Sequence, residues 1–317
     1  MSTSTSYNRL AVYGHRGWAS SAISKALIDS GAHVKVLYRP SSDVSDLPKR
    51  DNVSTFEVNV DDEAQVLEAL NDVDILISLV GHEGVERQHA FVEALPKTSV
   101  KLFVPSDLAA RYDEQGLRVP VNAAKDKVEK RAKELGIPLT IVLPGNFAEF
   151  ALSTIAMGVD CVGNQIILSG DMVKQPLNLC TKDYVASGYA SLFASTPIDD
   201  LSQRVIALSE FQVTGEDLIA SLTEKHGFPT RVVNTLAIEQ VDRLIEEKLE
   251  AGDRSTLAYY CRKIWGTGQQ VKMIGEDVWT VPGYQKQTQK ALLVDGELKP
   301  YRSLSQEFID HFAHEFE

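Results

Sequence analysis

The residues best placed to do chemistry begin at Gly14-His15-Arg16-Gly17-Trp18-Ala19-Ser20, between an apolar run at 9–13 (RLAVY) and a helix-like run. A strand, a glycine-rich turn and a helix, in that order, form a cradle for a pyrophosphate. Gly14 suits the tight turn. Gly17 lets the backbone approach phosphates at the helix N-terminus, where unpaired N–H groups favour anions. The third position of the dinucleotide pattern holds Ser20, which is not glycine but is small enough for close helix–strand packing.

The end of the next strand selects the cofactor. A site for NAD places Asp or Glu there to hold the ribose 2′-hydroxyl. This chain offers Leu37-Tyr38-Arg39-Pro40 instead. A guanidinium beside the adenosine ribose attracts a 2′-phosphate through charge-assisted hydrogen bonds. Arg16 is a second candidate cation, and with Trp18 in the turn these residues predict an NADP(H) site. Val80-Gly81-His82 follows a later strand and is expected to pass the cofactor; His82 reads as an incidental loop histidine. Asn146, Phe147 and Phe150 follow the sixth strand, at the carboxyl edge where ligands of such sheets sit. Asn146 is assigned to the cofactor, and the two phenylalanines to a flat apolar substrate.

These residues need a parallel sheet to position them. Strand-like runs at 9–13, 33–38, 53–58, 73–80, 100–104 and 139–143 alternate with helical spacing at 20–30, 61–70 and 121–135. Such alternation means βαβ units with right-handed crossovers. The fold class expected is α/β: a Rossmann doubly wound parallel sheet at 1–150, with a smaller C-terminal α/β substrate lobe at 151–317 packed on it and an interleaved boundary. In that second part, strands are expected at 165–169 and 204–208, and helices at 181–195, 214–225, 238–250 and 303–316.

The totals narrow the function classes. A formal charge of -12 over 317 residues argues against nucleic acid or an anionic membrane as partner. Three scattered cysteines, Cys161, Cys180 and Cys261, form no CxxC pair, so free thiols are expected, with neither disulfides nor a metal site. The polar start at 1–7 lacks the apolar core of a secretory signal, and no run reaches the length of a membrane span. A cytoplasmic protein with a small-molecule substrate is expected, with room for a homodimer.

Four stretches resemble the NmrA-like and isoflavone reductase-like branch of the atypical short-chain dehydrogenase/reductases, which includes the phenylcoumaran benzylic ether reductases. They are the glycine turn with its strand-terminal Arg39; Lys101-Leu102-Phe103-Val104-Pro105-Ser106-Asp107; KDKVEKRAKELGIPLT from Lys125 to Thr140; and Pro144-Gly145-Asn146-Phe147-Ala148-Glu149-Phe150. Asp107 stands where the family pattern has Glu. The resemblance implies that the family's reactive lysine falls on Lys125, with Lys127 as the competing register. Such a lysine holds the nicotinamide ribose and serves as a general acid/base, tuned by burial and neighbouring positive charge. Position 121 is Val121, so no Tyr-x-x-x-Lys pair is formed. The implied function is an NADPH-dependent reductase of small aromatic or conjugated substrates in secondary metabolism. The alternatives are a regulatory NADP(H) sensor of the NmrA type without catalysis, and a non-redox isomerase or cyclase of the same lineage.

Overall fold

A computed structural model describes residues 6–317; most of the polar start read as lacking a secretory signal therefore lies outside the described residues. The chain runs β1 (Arg9–Tyr13), α1 (Trp18–Asp29), β2 (His33–Tyr38), β3 (Val53–Glu57), α2 (Glu63–Ala69), β4 (Ile75–Ser78), α3 (Gln88–Ala94), β5 (Leu102–Val104), α4 (Pro120–Glu134) and β6 (Thr140–Leu143). The first five strands form one parallel sheet in the order β3-β2-β1-β4-β5. Side chains alternate across a strand. Leu10 and Val12 therefore join the core on the face holding α1, while Ala11 and Tyr13 join the core on the face holding α2, α3 and α4. Four of the five residues of β1 and all of β4 are buried, as strands covered on both faces must be.

Six laddered strands were expected in this half, and five are found. The sixth, β6, joins through a single parallel bridge between Phe103 and Leu139, with Phe103 N donating to Pro138 O at 2.9 Å. Pro105 and Pro138 lack N–H groups, so neither strand can extend the ladder there.

Beyond β6 the chain forms β7 (Asn146–Phe147), α5 (Ala148–Ser153), β8 (Val159–Asp160), β9 (Gln165–Ser169), β10 (Leu177–Cys180), α6 (Lys182–Phe193), β11 (Arg204–Ala207), β12 (Phe211–Val213), α7 (Gly215–His226), β13 (Arg231–Leu236), α8 (Ile238–Ala251), α9 (Thr256–Gly266), α10 (Gln269–Ile274), α11 (Gln289–Leu293) and α12 (Gln306–Ala313). Two small sheets, β12-β10-β7 and β13-β9-β8, build a second layer, and β11 continues β6 in parallel. Tyr184, Tyr189, Leu192 and Phe193 of α6 share a core with Ile23 and Leu27 of α1, so a late helix completes the first sheet's covering. The helix expected at 303–316 starts only at Gln306, capped by the Ser305 hydroxyl accepting from Phe308 N. Residues 294–304 before it are free of regular structure after the first few and cross the molecule as a strap.

Asp74, just before β4, is buried and bound by Arg9 through two guanidinium hydrogen bonds of 2.9 and 3.0 Å, with Lys101 at 3.2 Å. The Arg9 hydrogen bonds hold its carboxyl well below the usual carboxylate range. A depressed folded pKa contributes stability that is present above the unfolded value, about pH 4, and is lost as pH falls through the folded one. Asp74→Asn is therefore expected to lower the urea midpoint at pH 7 and to flatten its decline between about pH 4 and 2. Parallel decline in mutant and wild type would refute the assignment.

Candidate functional site

The glycine turn forms as its residue types require. Gly14 has φ 97°, and a Cβ there would lie 2.9 Å from both Leu79 C and Val80 N, so the first turn presses against the end of β4. Gly17 is the N-cap of α1, and a side chain on it would run into the Oγ of buried Ser20. Ser20 thus fills the third position by lying under the turn. The helix starts at Trp18, two residues earlier than expected. It has no side-chain cap and no acid in its first turn, so its leading N–H groups are available to an anion. Gly81, past the end of β4, has open space where a Cβ would stand.

Arg16 and Arg39 are both exposed, and among the described residues neither has a carboxylate within 4.0 Å, in contrast to Arg9, Arg50 and Arg131. Arg87, in the short 3-10 turn His82–Arg87 after β4, is likewise without such a partner. The positive charges of Arg87 and Arg39 both bear on Tyr13, whose buried hydroxyl has no hydrogen-bond partner; burial raises its pKa and the two arginines oppose that rise. Two unpaired cations around an orphaned hydroxyl match a site that waits for an anionic, hydrogen-bonding ligand. Arg87 and Tyr13 escaped the sequence reading because no spacing rule links them to Arg39.

Val80, after β4, links the glycine turn to the loop after β5. Its carbonyl accepts from Ser106 Oγ at 2.7 Å, and Ser106 N donates to Gln88 Oε1 at 2.9 Å. Asp107 follows, 4% exposed, accepting from Tyr112 Oη at 2.6 Å and standing 3.5 Å from Lys125 Nζ. The Lys125 side chain is 12% exposed, while Lys127 is exposed. The charged group paired with Lys125 is this carboxylate, where positive charge was expected. His82 is exposed but partly enclosed by neighbouring protein. That burial, with Lys125 and Arg302 nearby, pushes its pKa down to about 4. A loop histidine read as incidental thus borders the site as a neutral imidazole.

Asn146 is buried, and its Oδ1 accepts from Gln270 Nε2 at 3.2 Å. Cys261 of α9 is half-buried beside Asn146 and Lys125. Burial pushes its thiol up to about 11, which leaves it protonated and unreactive at neutral pH. Phe147 meets Trp18 edge-on with centroids 5.2 Å apart, Trp18 meets Tyr301 at 4.6 Å, and Tyr301 meets Phe150 at 5.5 Å. Three predicted residues are therefore joined into one aromatic wall by a fourth, Tyr301, delivered by the strap. A 430 Å³ hollow beside Ala26, Ser191 and Tyr284 and a 260 Å³ hollow beside Leu152, Cys161 and Leu298 share no lining residue with the turn, Lys125 or Asn146. Among the described residues, no three His, Cys, Asp or Glu gather to hold a metal, and no helix is long and apolar enough to cross a membrane.

This arrangement has known counterparts. Phenylcoumaran benzylic ether reductase PT1 of Pinus taeda is 29% identical over 163 residues, which cover 48% of this chain and 53% of that protein. The chain spans about half the length of the curated relatives it matches. The fold extends further: a crystal structure of isoflavone reductase aligns with a TM-score of 0.75 at 19% identity, covering 92% of this chain and 99% of that one. The binary complex of leucoanthocyanidin reductase with NADPH, from Vitis vinifera, aligns at 0.66 and 16% identity over 97% and 99%. Both solved structures share this chain's α/β architecture. The model of the NmrA-like family matches residues 6–251, from just before β1 to the end of α8, and so takes in the glycine turn, Arg39, Lys125 and Asn146. Given that span, this chain belongs to the NmrA-like family.

Proposed function

We propose that the protein is an NADPH-dependent reductase of a small aromatic or conjugated substrate, with Lys125 as its general acid/base. One observation carries the reading: the glycine turn packs on Leu79 and Val80, the Val80 carbonyl accepts from Ser106, and the next residue, Asp107, pairs with the nearly buried Lys125. The NADPH complex of the leucoanthocyanidin reductase and the name of the Pinus taeda relative support it. In this reading Gly14, Arg16, Gly17, Trp18, Val80, Gly81 and Asn146 line the dinucleotide, and Arg39 with Arg87 neutralises its 2′-phosphate. NADPH when bound supplies the hydride. The protein's own part is to orient, to exclude water and to place a proton. Trp18, Phe147, Phe150 and Tyr301 form an apolar face against which a flat substrate stacks. The Lys125 ammonium donates to the oxygen on which charge develops. Residues 1–150 supply the cofactor side and three of the four aromatic residues of the substrate wall, and residues 151–317 add Tyr301 from the strap.

Cofactor choice provides the test. Arg39→Ala is expected to weaken NADPH binding by about 10- to 100-fold, from the loss of one charge-assisted contact, and to leave NADH binding within about twofold. Titration by cofactor fluorescence measures both. Equal NADPH and NADH affinity in the wild type would refute the assignment. Tight NADPH binding without oxidation by any of a panel of aromatic ethers, enones and imines would favour the regulatory sensor.

A further inference from the structure

The loop after β5 brings buried Asp107 and half-buried Tyr112 against half-buried Lys125 of α4, a triad that the dinucleotide site does not use. Asp107 Oδ1 accepts from Tyr112 Oη at 2.6 Å, and the same oxygen faces Lys125 Nζ at 3.5 Å. The loop is fixed at several points. Arg111 N donates to Met273 O at 2.9 Å, Gly145 N to Ala109 O at 3.1 Å, and Asp113 N to Tyr260 Oη at 3.3 Å. Arg111 is committed to Glu129 of α4 at 2.6 Å and reaches Asp107 Oδ2 only at 3.9 Å. Asp107 therefore has one short donor, Tyr112, and one close cation, Lys125.

We propose that Asp107 and Tyr112 are a positioning pair: the carboxylate holds the Lys125 ammonium toward the cleft, and the phenol limits how tightly it does so. The inference rests on the reading that Lys125 faces the reacting group. A separation of 3.5 Å is an ion pair without a short hydrogen bond, so the ammonium keeps its protons free for a ligand. Tyr112 occupies a lone pair of the shared oxygen and draws off part of its charge. Burial first, then the Asp107 charge, raises the Tyr112 pKa well above its ordinary value, so the phenol stays a donor at every working pH. The other groups facing Lys125 are His82 after β4 and Cys261 on α9, both uncharged at neutral pH, with Arg111 turned to Glu129. The Asp107 carboxylate is thus the anion that acts on this lysine.

Competitive acylation of the whole protein by trace acetic anhydride, read by peptide mass spectrometry over a pH series, reports the free-amine fraction of each lysine without turnover. Exposed Lys127, on the same helix, is the internal reference. Asp107→Asn is expected to speed Lys125 labelling relative to Lys127 by at least about tenfold, because the amine loses the carboxylate that holds it 3.5 Å away. Tyr112→Phe removes one oxygen from a buried ring and is expected to slow it. A Lys125:Lys127 ratio unchanged within about twofold in both variants would overturn the proposal, since a merely structural role moves neither. Should Asp107→Asn fail to fold, the Tyr112→Phe arm decides. NADPH affinity is measured alongside: its absence in the wild type sinks the cofactor reading, while the labelling ratio still tests the pair.

Discussion

Lys125→Ala is expected to lower turnover by two to four orders of magnitude, the usual worth of a positioned general acid. NADPH affinity is expected to change by no more than about threefold. The separation follows from the geometry. In the proposed reading the phosphates are served by the α1 N-terminus and by Arg39 and Arg87, whereas Lys125 pairs with Asp107. Lys125→Arg is expected to restore little, because a guanidinium carries charge but does not release a proton in this range. Single-turnover NADPH oxidation measures the chemical step directly, and the best substrate from the aromatic panel serves for all three proteins. Retention of more than about a tenth of wild-type turnover by the alanine variant would remove Lys125 from the chemistry and return attention to His82. Alanine also leaves Asp107 with only Tyr112 close by, so part of the loss in stability comes from an unpaired buried carboxylate. Thermal melts of the NADPH-bound protein separate that loss from the rate effect.

The legible parts of this molecule are those fixed by local physics. β1, β2 and β9 begin and end where their apolar runs begin and end. The turn at Gly14 needs a positive φ and a close backbone approach, which only glycine meets without strain. Arg39 was readable because a strand's carboxyl end in such a sheet has a known address. The missed parts depend on distant sequence. In α9, Tyr259, Tyr260, Ile264 and Trp265 are buried around most of the helix, so no polar face produces a 3.6 period, and Arg262 interrupts the apolar run. β13 shows the reverse: Arg231–Leu236 is mostly exposed, and its strand exists because β9 offers a free edge. Arg87 and Tyr301 reach the site from a 3-10 turn and an irregular strap, elements without a period. Three of the four aromatic residues of the wall, Trp18, Phe147 and Phe150, were therefore visible, while Tyr301, which ties Phe150 to Trp18, was not.

Arg262→Ala is expected to destabilise the protein by about 3 kcal/mol, the low end for breaking a buried ion pair, because Glu315 is partly exposed. Arg262 has no exposed side-chain surface. It donates from Nε to Ala156 O at 2.8 Å and from Nη1 to Glu315 Oε2 at 2.8 Å, and its guanidinium lies 5.0 and 5.1 Å from the rings of Tyr259 and Phe312. Tyr259 Oη donates to the other oxygen of Glu315 at 2.5 Å. One side chain thus pins the segment after α12 to α9 and to the loop after α5. Its removal frees the Ala156 carbonyl, a carboxylate oxygen and the faces of two rings together. If the ion pair carries the effect, Arg262→Ala with Glu315→Gln loses clearly less than the sum of the single variants. If packing of the guanidinium on the rings carries it, the losses add, and Arg262→Met recovers most of the stability. Urea titrations of wild type and the four variants decide between them. NADPH affinity should change far less than stability in either case, because the glycine turn and Arg39 stand on the first sheet, whereas Arg262 lies on α9. Loss of NADPH binding in proportion to stability would instead mean that the latch at Arg262 and the cofactor cradle unfold as one unit.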